Sequence, residues 1–118
     1  MKNEATGLKR IFTAYEFSMK GLKTCYQSEV AFRQEVWLAI ILLPLALIFG
    51  KMGVEQAILI ASVFLVLIVE ILNSAVESVV DRISDEYHVL SGAAKDMGSA
   101  AVWLSLTLLI IIWLIILT

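Results

Sequence analysis

Glu70, Asn73, Glu77 and Asp81 follow one another at steps of 3, 4 and 4 along a segment that is otherwise mostly apolar. At 100° per residue the four side chains fall within an arc of about 80° on one helix face. A carboxylate placed in hydrocarbon costs about 2.5–3.5 kcal/mol on insertion scales, so the stripe must face protein, water or a cation. Two readings meet that demand. One is an inter-helix polar seam in which Asn73 bonds a neighbouring helix. The other is chemistry, because Glu70 and Glu77 lie about 10.5 Å apart along the axis and can serve two sites. Glu70, set among Val66, Val69 and Ile71, is suited to take a proton from a neutral hydroxyl. Glu77 is nearer the water and suited to a divalent cation. Glu29 offers that cation a second oxygen, or else forms an i,i+4 surface pair with Arg33. Lys95-Asp96, just before the last apolar run, is the natural anion contact. His88 alone reads as exposed rather than as a ligand. The sequence holds no Walker-type loop, protein-kinase signature, His-rich metal motif or Ser-His-Asp order, so any nucleotide must be held by the helices themselves.

These side chains need elements to carry them, and the composition says which. Hydrophobic residues are 60% of the 118 and charged residues 17%, against roughly 45–50% and 25% in soluble domains. The excess collects in three runs, predicting an all-α membrane protein of one domain, 1–118. Residues 6–23 form an amphipathic surface helix: Leu8, Ile11, Phe12, Tyr15, Met19 and Leu22 make one stripe opposite Lys9, Arg10, Lys20 and Lys23. Transmembrane helices are expected at 31–49, 56–80 and 97–117, joined by a cytoplasmic connection over 81–96. Pro44 falls within the first span, and Gly50-Lys51-Met52-Gly53 makes a tight turn after it. Six of the nine basic residues precede or open the first span, and Arg82 and Lys95 flank the second connection. The positive-inside rule therefore places the N-terminus and 81–96 in the cytoplasm and the C-terminus outside. The segment before the first span is too polar for a signal peptide, so the spans direct insertion. The one cysteine, Cys25, excludes an intrachain disulfide and a Cys-based metal site.

Glu70-Ile71-Leu72-Asn73-Ser74-Ala75-Val76-Glu77, Val80-Asp81-Arg82-Ile83, Ala94-Lys95-Asp96-Met97-Gly98-Ser99-Ala100-Ala101 and the earlier Ala31-Phe32-Arg33-Gln34-Glu35 together resemble the bacterial diacylglycerol kinase family. The likeness spans almost the whole chain, the surface helix included. It implies a homotrimer in the bacterial inner membrane, with active sites shared between subunits at the cytoplasmic interface. It also implies transfer of the ATP γ-phosphate to diacylglycerol, giving phosphatidate and ADP, with Mg²⁺ and no nucleic-acid partner. By that resemblance Glu70 matches the base, and Glu29 and Glu77 match the ligands of the metal that accompanies ATP. Arg10, Phe17, Glu86, Tyr87, His88, Lys95 and Asp96 match nucleotide contacts. Arg10, Ala14, Ser18, Ala31, Arg33, Gln34, Glu35, Glu70 and Ser99 match positions around the lipid, with Asn73 and Asp81 in support. Two positions depart from the pattern: Phe17 stands where relatives carry a tyrosine, and Ala93 where they carry a basic residue. The first keeps a ring for stacking without the hydroxyl; the second removes a peripheral anion contact. A related small three-span kinase phosphorylates undecaprenol, which makes that alcohol the alternative substrate. A non-enzymatic ion or proton carrier is the rival of another class, opposed by an uncharged third span.

Overall fold

The computed structural model describes residues 6–118. Four helices account for nearly all of them: α1 (Gly7–Ser28), α2 (Val30–Phe49), α3 (Gly53–Ile83) and α4 (Val89–Leu117). The last three are long and apolar enough to cross a membrane. At 1.5 Å per residue, α2 measures about 30 Å, matching the hydrocarbon thickness, whereas α3 and α4 measure about 46 Å and 43 Å. Their surplus length projects beyond the hydrocarbon and carries the polar residues.

That surplus is where the observed elements part from the boundaries expected from the apolar runs. The connection expected over 81–96 is helical at both ends, leaving only Ser84–His88 between α3 and α4. Apolar content marks where a helix leaves lipid, not where it stops, and hydrogen bonding continues into water. His88 sets the true start of α4, since its Nδ1 accepts from the Leu90 N–H at 3.0 Å as an N-cap. Likewise α1 continues past Lys23 to Ser28. Its last turn is held by Cys25, which is buried and lies with its Sγ 3.7 Å from Ser74 Oγ on α3. Burial pushes the Cys25 thiol pKa up, so it behaves as a small apolar side chain.

α3 is the central element, packed most extensively on α4 and then on α2, while α1 lies on α2 and α3. The core away from the polar stripe consists of Ala39, Ala46, Leu59, Val63 and Trp113. Two alanines there let α2 approach α3 closely, as small residues do in membrane interfaces. The Trp113 indole N–H donates to Ser62 Oγ at 3.0 Å, and that hydroxyl donates to Leu59 O at 2.7 Å. Both polar groups are thus satisfied inside an apolar bundle. Much of the remaining apolar surface faces outward, including Ile40, Ile48, Ile68, Leu104 and Ile115. A water-facing bundle would not carry such a surface.

The α2–α3 hairpin shows how tightly one end is stitched. Gln56 Nε2 donates to Leu47 O at 2.9 Å and to Gly50 O at 3.3 Å, occupying carbonyls that the end of α2 leaves open. Lys51 N–H in turn donates to Glu55 Oε1 at 2.8 Å. Gly50 is required by this closeness: a Cβ there would sit 2.6 Å from Gln56 Cγ and 2.8 Å from Ala46 O. Gln56→Ala is expected to lower stability by about 1 kcal/mol, read as a lower thermal midpoint in bicelles, with turnover at the opposite end of the bundle unchanged.

Candidate active site

The polar stripe of α3 turns inward. Glu70 is 5% exposed, and Asn73 and Glu77 are half-buried. Sequence reasoning assigned no partner to Glu70; the structure supplies one. The half-buried Glu35 carboxyl on α2 stands close enough to the Glu70 carboxyl on α3 for the two to interact electrostatically. Two carboxyls placed side by side offer oxygen acceptors to a hydroxyl brought beside them. Glu35 Oε1 is buried without a partner among the described residues, and so is Asn73 Oδ1. Asn73 lies against Gly98 of α4, where a Cβ would come within 3.2 Å of Asn73 Cγ and would collide with its amide oxygen.

Towards the polar end of α3, Glu77 feels the charges of Glu29, Lys95, Glu70 and Asp81. Glu29 is the single residue between α1 and α2 and caps neither helix with its side chain. A groove of about 290 Å³ opens beside it between α1 and α3, lined also by Cys25, Ser74 and Ser78. No ion pair joins Glu29 to Arg33 among the described residues. Arg33 Nη1 instead donates to Tyr26 O and Gln27 O, both at 2.9 Å. The carboxylates of Glu29, at the α1–α2 joint, and Glu77, on α3, therefore sit within electrostatic reach of one another. No cluster of three or more His, Cys, Asp or Glu suited to a metal occurs among the described residues. A pair of this kind fits Mg²⁺, which takes one or two carboxylates and fills its octahedron with water and phosphate oxygens.

The α3–α4 junction forms a second space. A cleft of about 300 Å³ is lined by Asp81, Glu86, Tyr87, His88 and Lys95, with Ser84, Asp85, Ser91 and Gly92 around them. Lys95 Nζ lies 2.6 Å from Asp81 Oδ1, an exposed pair that ties α4 to α3. The N-terminal turn of α4 borders the cleft, and a helix N-terminus favours negative charge. Because His88 Nδ1 accepts from Leu90, the neutral ring carries its proton on Nε2, which leaves a donor directed away from the cap.

Within one chain the remaining candidates do not join these spaces. Asp96 and Ser99 are exposed on α4 and neither lines the α3–α4 cleft. Ala31 and Gln34 are exposed on the first turn and a half of α2. Arg10, Ala14, Phe17 and Ser18 share a face of α1 at helical spacing and are exposed. Ser18 Oγ donates to Ala14 O at 2.9 Å, and the Lys20 ammonium stands 5.8 Å from the Phe17 ring centre. None of these α1 residues lines the α3–α4 cleft. Sequence reasoning missed the Glu35–Glu70 pair and the part played by Gly98. The second had a faint signal, a glycine inside a membrane helix level with the stripe.

A family model described as prokaryotic diacylglycerol kinase matches residues 16–117. A diacylglycerol kinase of Escherichia coli (strain K12) is 49% identical over 117 residues, covering 99% of this chain and 96% of that protein. One of Haemophilus influenzae is 47% identical over 110 residues, or 93% of each chain. One of Pseudomonas aeruginosa is 48% identical over 108 residues, or 92% of this chain and 88% of its own.

Proposed function

We propose, from the premise that the chain belongs to the prokaryotic diacylglycerol kinase family, that it transfers the γ-phosphate of ATP to the free hydroxyl of diacylglycerol, forming phosphatidate and ADP. The observation that carries the chemistry is the buried Glu70 carboxyl, paired with Glu35 on the face of α3 that runs on to Glu77 and Asp81. Phosphoryl transfer asks for alignment and charge compensation more than for covalent chemistry. A site at the end of the apolar segment meets both reactants, lipid from the bilayer and nucleotide from water.

In this reading Glu70 receives the hydroxyl proton as the lipid oxygen bonds to the γ-phosphorus. The bond from that phosphorus to the β-phosphate bridging oxygen breaks, and ADP departs. Glu29 and Glu77 would hold Mg²⁺, which supplies positive charge to the phosphate oxygens when bound. Lys95 contributes charge from α4, and an arriving phosphate competes with Asp81 for its ammonium. The cleft residues Glu86, Tyr87 and His88 hold the nucleotide, with Asp96 and with Arg10 and Phe17 of α1. Ala14, Ser18, Ala31, Gln34, Glu35 and Ser99 surround the lipid, and Asn73 supports the stripe. The absence of Arg10 and Phe17 from the α3–α4 cleft of their own chain supports a homotrimer with sites shared between copies. The outward apolar stripe of α1, with Leu8, Ile11, Phe12 and Tyr15 exposed, supports its lying in the membrane interface. The charge bias supports a cytoplasmic N-terminus and an outward C-terminus in the inner membrane.

The test is transfer of labelled γ-phosphate from ATP to lipid in bicelles with Mg²⁺, offering diacylglycerol and undecaprenol side by side. Labelled phosphatidate is the expected product. Labelling of undecaprenol in preference would reassign the substrate, and no lipid label at all would overturn the kinase reading.

A further inference from the structure

The end of α1 sets an accounting problem. A helix leaves its last four carbonyls without intrahelical partners, here those of Cys25 to Ser28. Glu29 N–H donates to Cys25 O at 2.9 Å. Arg33 Nη1 donates to the next two, Tyr26 O and Gln27 O, each at 2.9 Å. Both hydrogens of that nitrogen are thereby committed to α1. Its positive charge also sits where the dipole of α1 favours a cation. Arg33 itself belongs to the first turn of α2. One side chain of α2 thus clamps the end of α1 across the break between them.

The break is one residue wide. Glu29 has φ −115° and ψ 110°, closes α1 and opens α2, and spends its carboxylate on neither helix. The direction of that carboxylate therefore depends on how α1 leaves α2, and Arg33 fixes this. Loss of the clamp would leave the part-buried Tyr26 carbonyl unpaired and free the exposed Gln27 carbonyl, and so release the one-residue joint.

We infer that Arg33 is a positioning residue that aims the Glu29 carboxylate towards Glu77 by holding Tyr26 O and Gln27 O, instead of contacting the lipid. The inference rests on the reading of Glu29 and Glu77 as the metal-holding pair. Residues that orient a metal ligand without touching the metal change affinity about 10–100-fold when lost. A lysine at this position reaches one carbonyl but lacks the planar fork that takes two.

The experiment uses the full chain in bicelles and two readouts. Mn²⁺ binding in the presence of a non-hydrolysable ATP analogue is followed by electron paramagnetic resonance, and the KM for diacylglycerol is measured in parallel. Arg33→Ala is expected to weaken Mn²⁺ binding by about tenfold or more with the lipid KM unchanged, and Arg33→Lys to recover part of the loss. Unchanged Mn²⁺ binding with a raised lipid KM would overturn the inference in favour of direct lipid contact. Glu29→Gln separates the two levels. If it leaves Mn²⁺ binding unaltered, the metal reading falls and takes the inference with it; if it weakens binding while Arg33→Ala does not, only the positioning role falls. Should Arg33→Ala fail to fold, Arg33→Lys and Arg33→Gln are judged by the same split.

Discussion

Glu70→Gln is expected to lower turnover by about 10²–10⁴-fold, the range associated with loss of a positioned general base. The substitution preserves shape and removes the basic oxygen. It also preserves the local packing, because glutamine fills the volume of Glu70 beside Glu35 at the α2–α3 contact. The KM for ATP should therefore change little, since the cleft residues Glu86, Tyr87, His88 and Lys95 lie at or beyond the level of Asp81, about three helical turns from Glu70 (about 16 Å along the axis). Single-turnover phosphate transfer in bicelles, on protein shown to have the same oligomeric state and thermal midpoint as the parent, isolates the chemical step. Near-normal turnover would remove Glu70 from the role of base. A fall in turnover with an equal fall in stability would assign the residue to the polar seam instead.

The demand for partners was legible in the stripe, because carboxylates recurring on one face of an apolar helix are costly to leave unpaired. What could not be read was which partner each one takes. Glu35 was placed near the lipid by resemblance, but its closeness to Glu70 depends on how α2 and α3 rotate against each other. Packing of Ala39 and Ala46 on α3 decides that rotation. Lys95 and Asp81 were recognised separately, and only the five-residue connection Ser84–His88 brings them together. Arg33 is the clearest case of a hidden role. Its acceptors are main-chain carbonyls, which have no signature in side-chain pattern, so the sequence offered only a surface pair with Glu29 at i−4 or, by resemblance, a place at the lipid. The three apolar helices, by contrast, followed directly from composition. Their ends did not, because the hydropathy that marks a membrane boundary carries no information about capping by a residue such as His88.

Gly98→Ala carries the second large effect, and it arises from a single methyl group. The added Cβ would collide with the Asn73 amide oxygen, so either Asn73 rotates away or α4 moves off α3. Overpacking of this kind typically costs about 1–3 kcal/mol. Both responses reach the site. Asn73 lies between Glu70 and Glu77 on the stripe, and displacement of α4 stretches the Lys95–Asp81 pair. Turnover is therefore expected to fall by about tenfold, roughly what 1.4 kcal/mol of misplacement gives, together with a lower thermal midpoint. Combining Gly98→Ala with Asn73→Ala tells the two effects apart. Removing the Asn73 amide makes room for the methyl group, so the double variant should be more stable than the sum of the single changes allows, with a coupling of about 0.5–3 kcal/mol. Turnover should stay low if Asn73 plays the supporting role proposed for it. Additive losses in stability would mean that the two residues do not meet. Recovery of turnover along with stability would mean that Asn73 only fills space, and the support for Glu70 and Glu77 would then have to come from Glu35 and Glu29 alone.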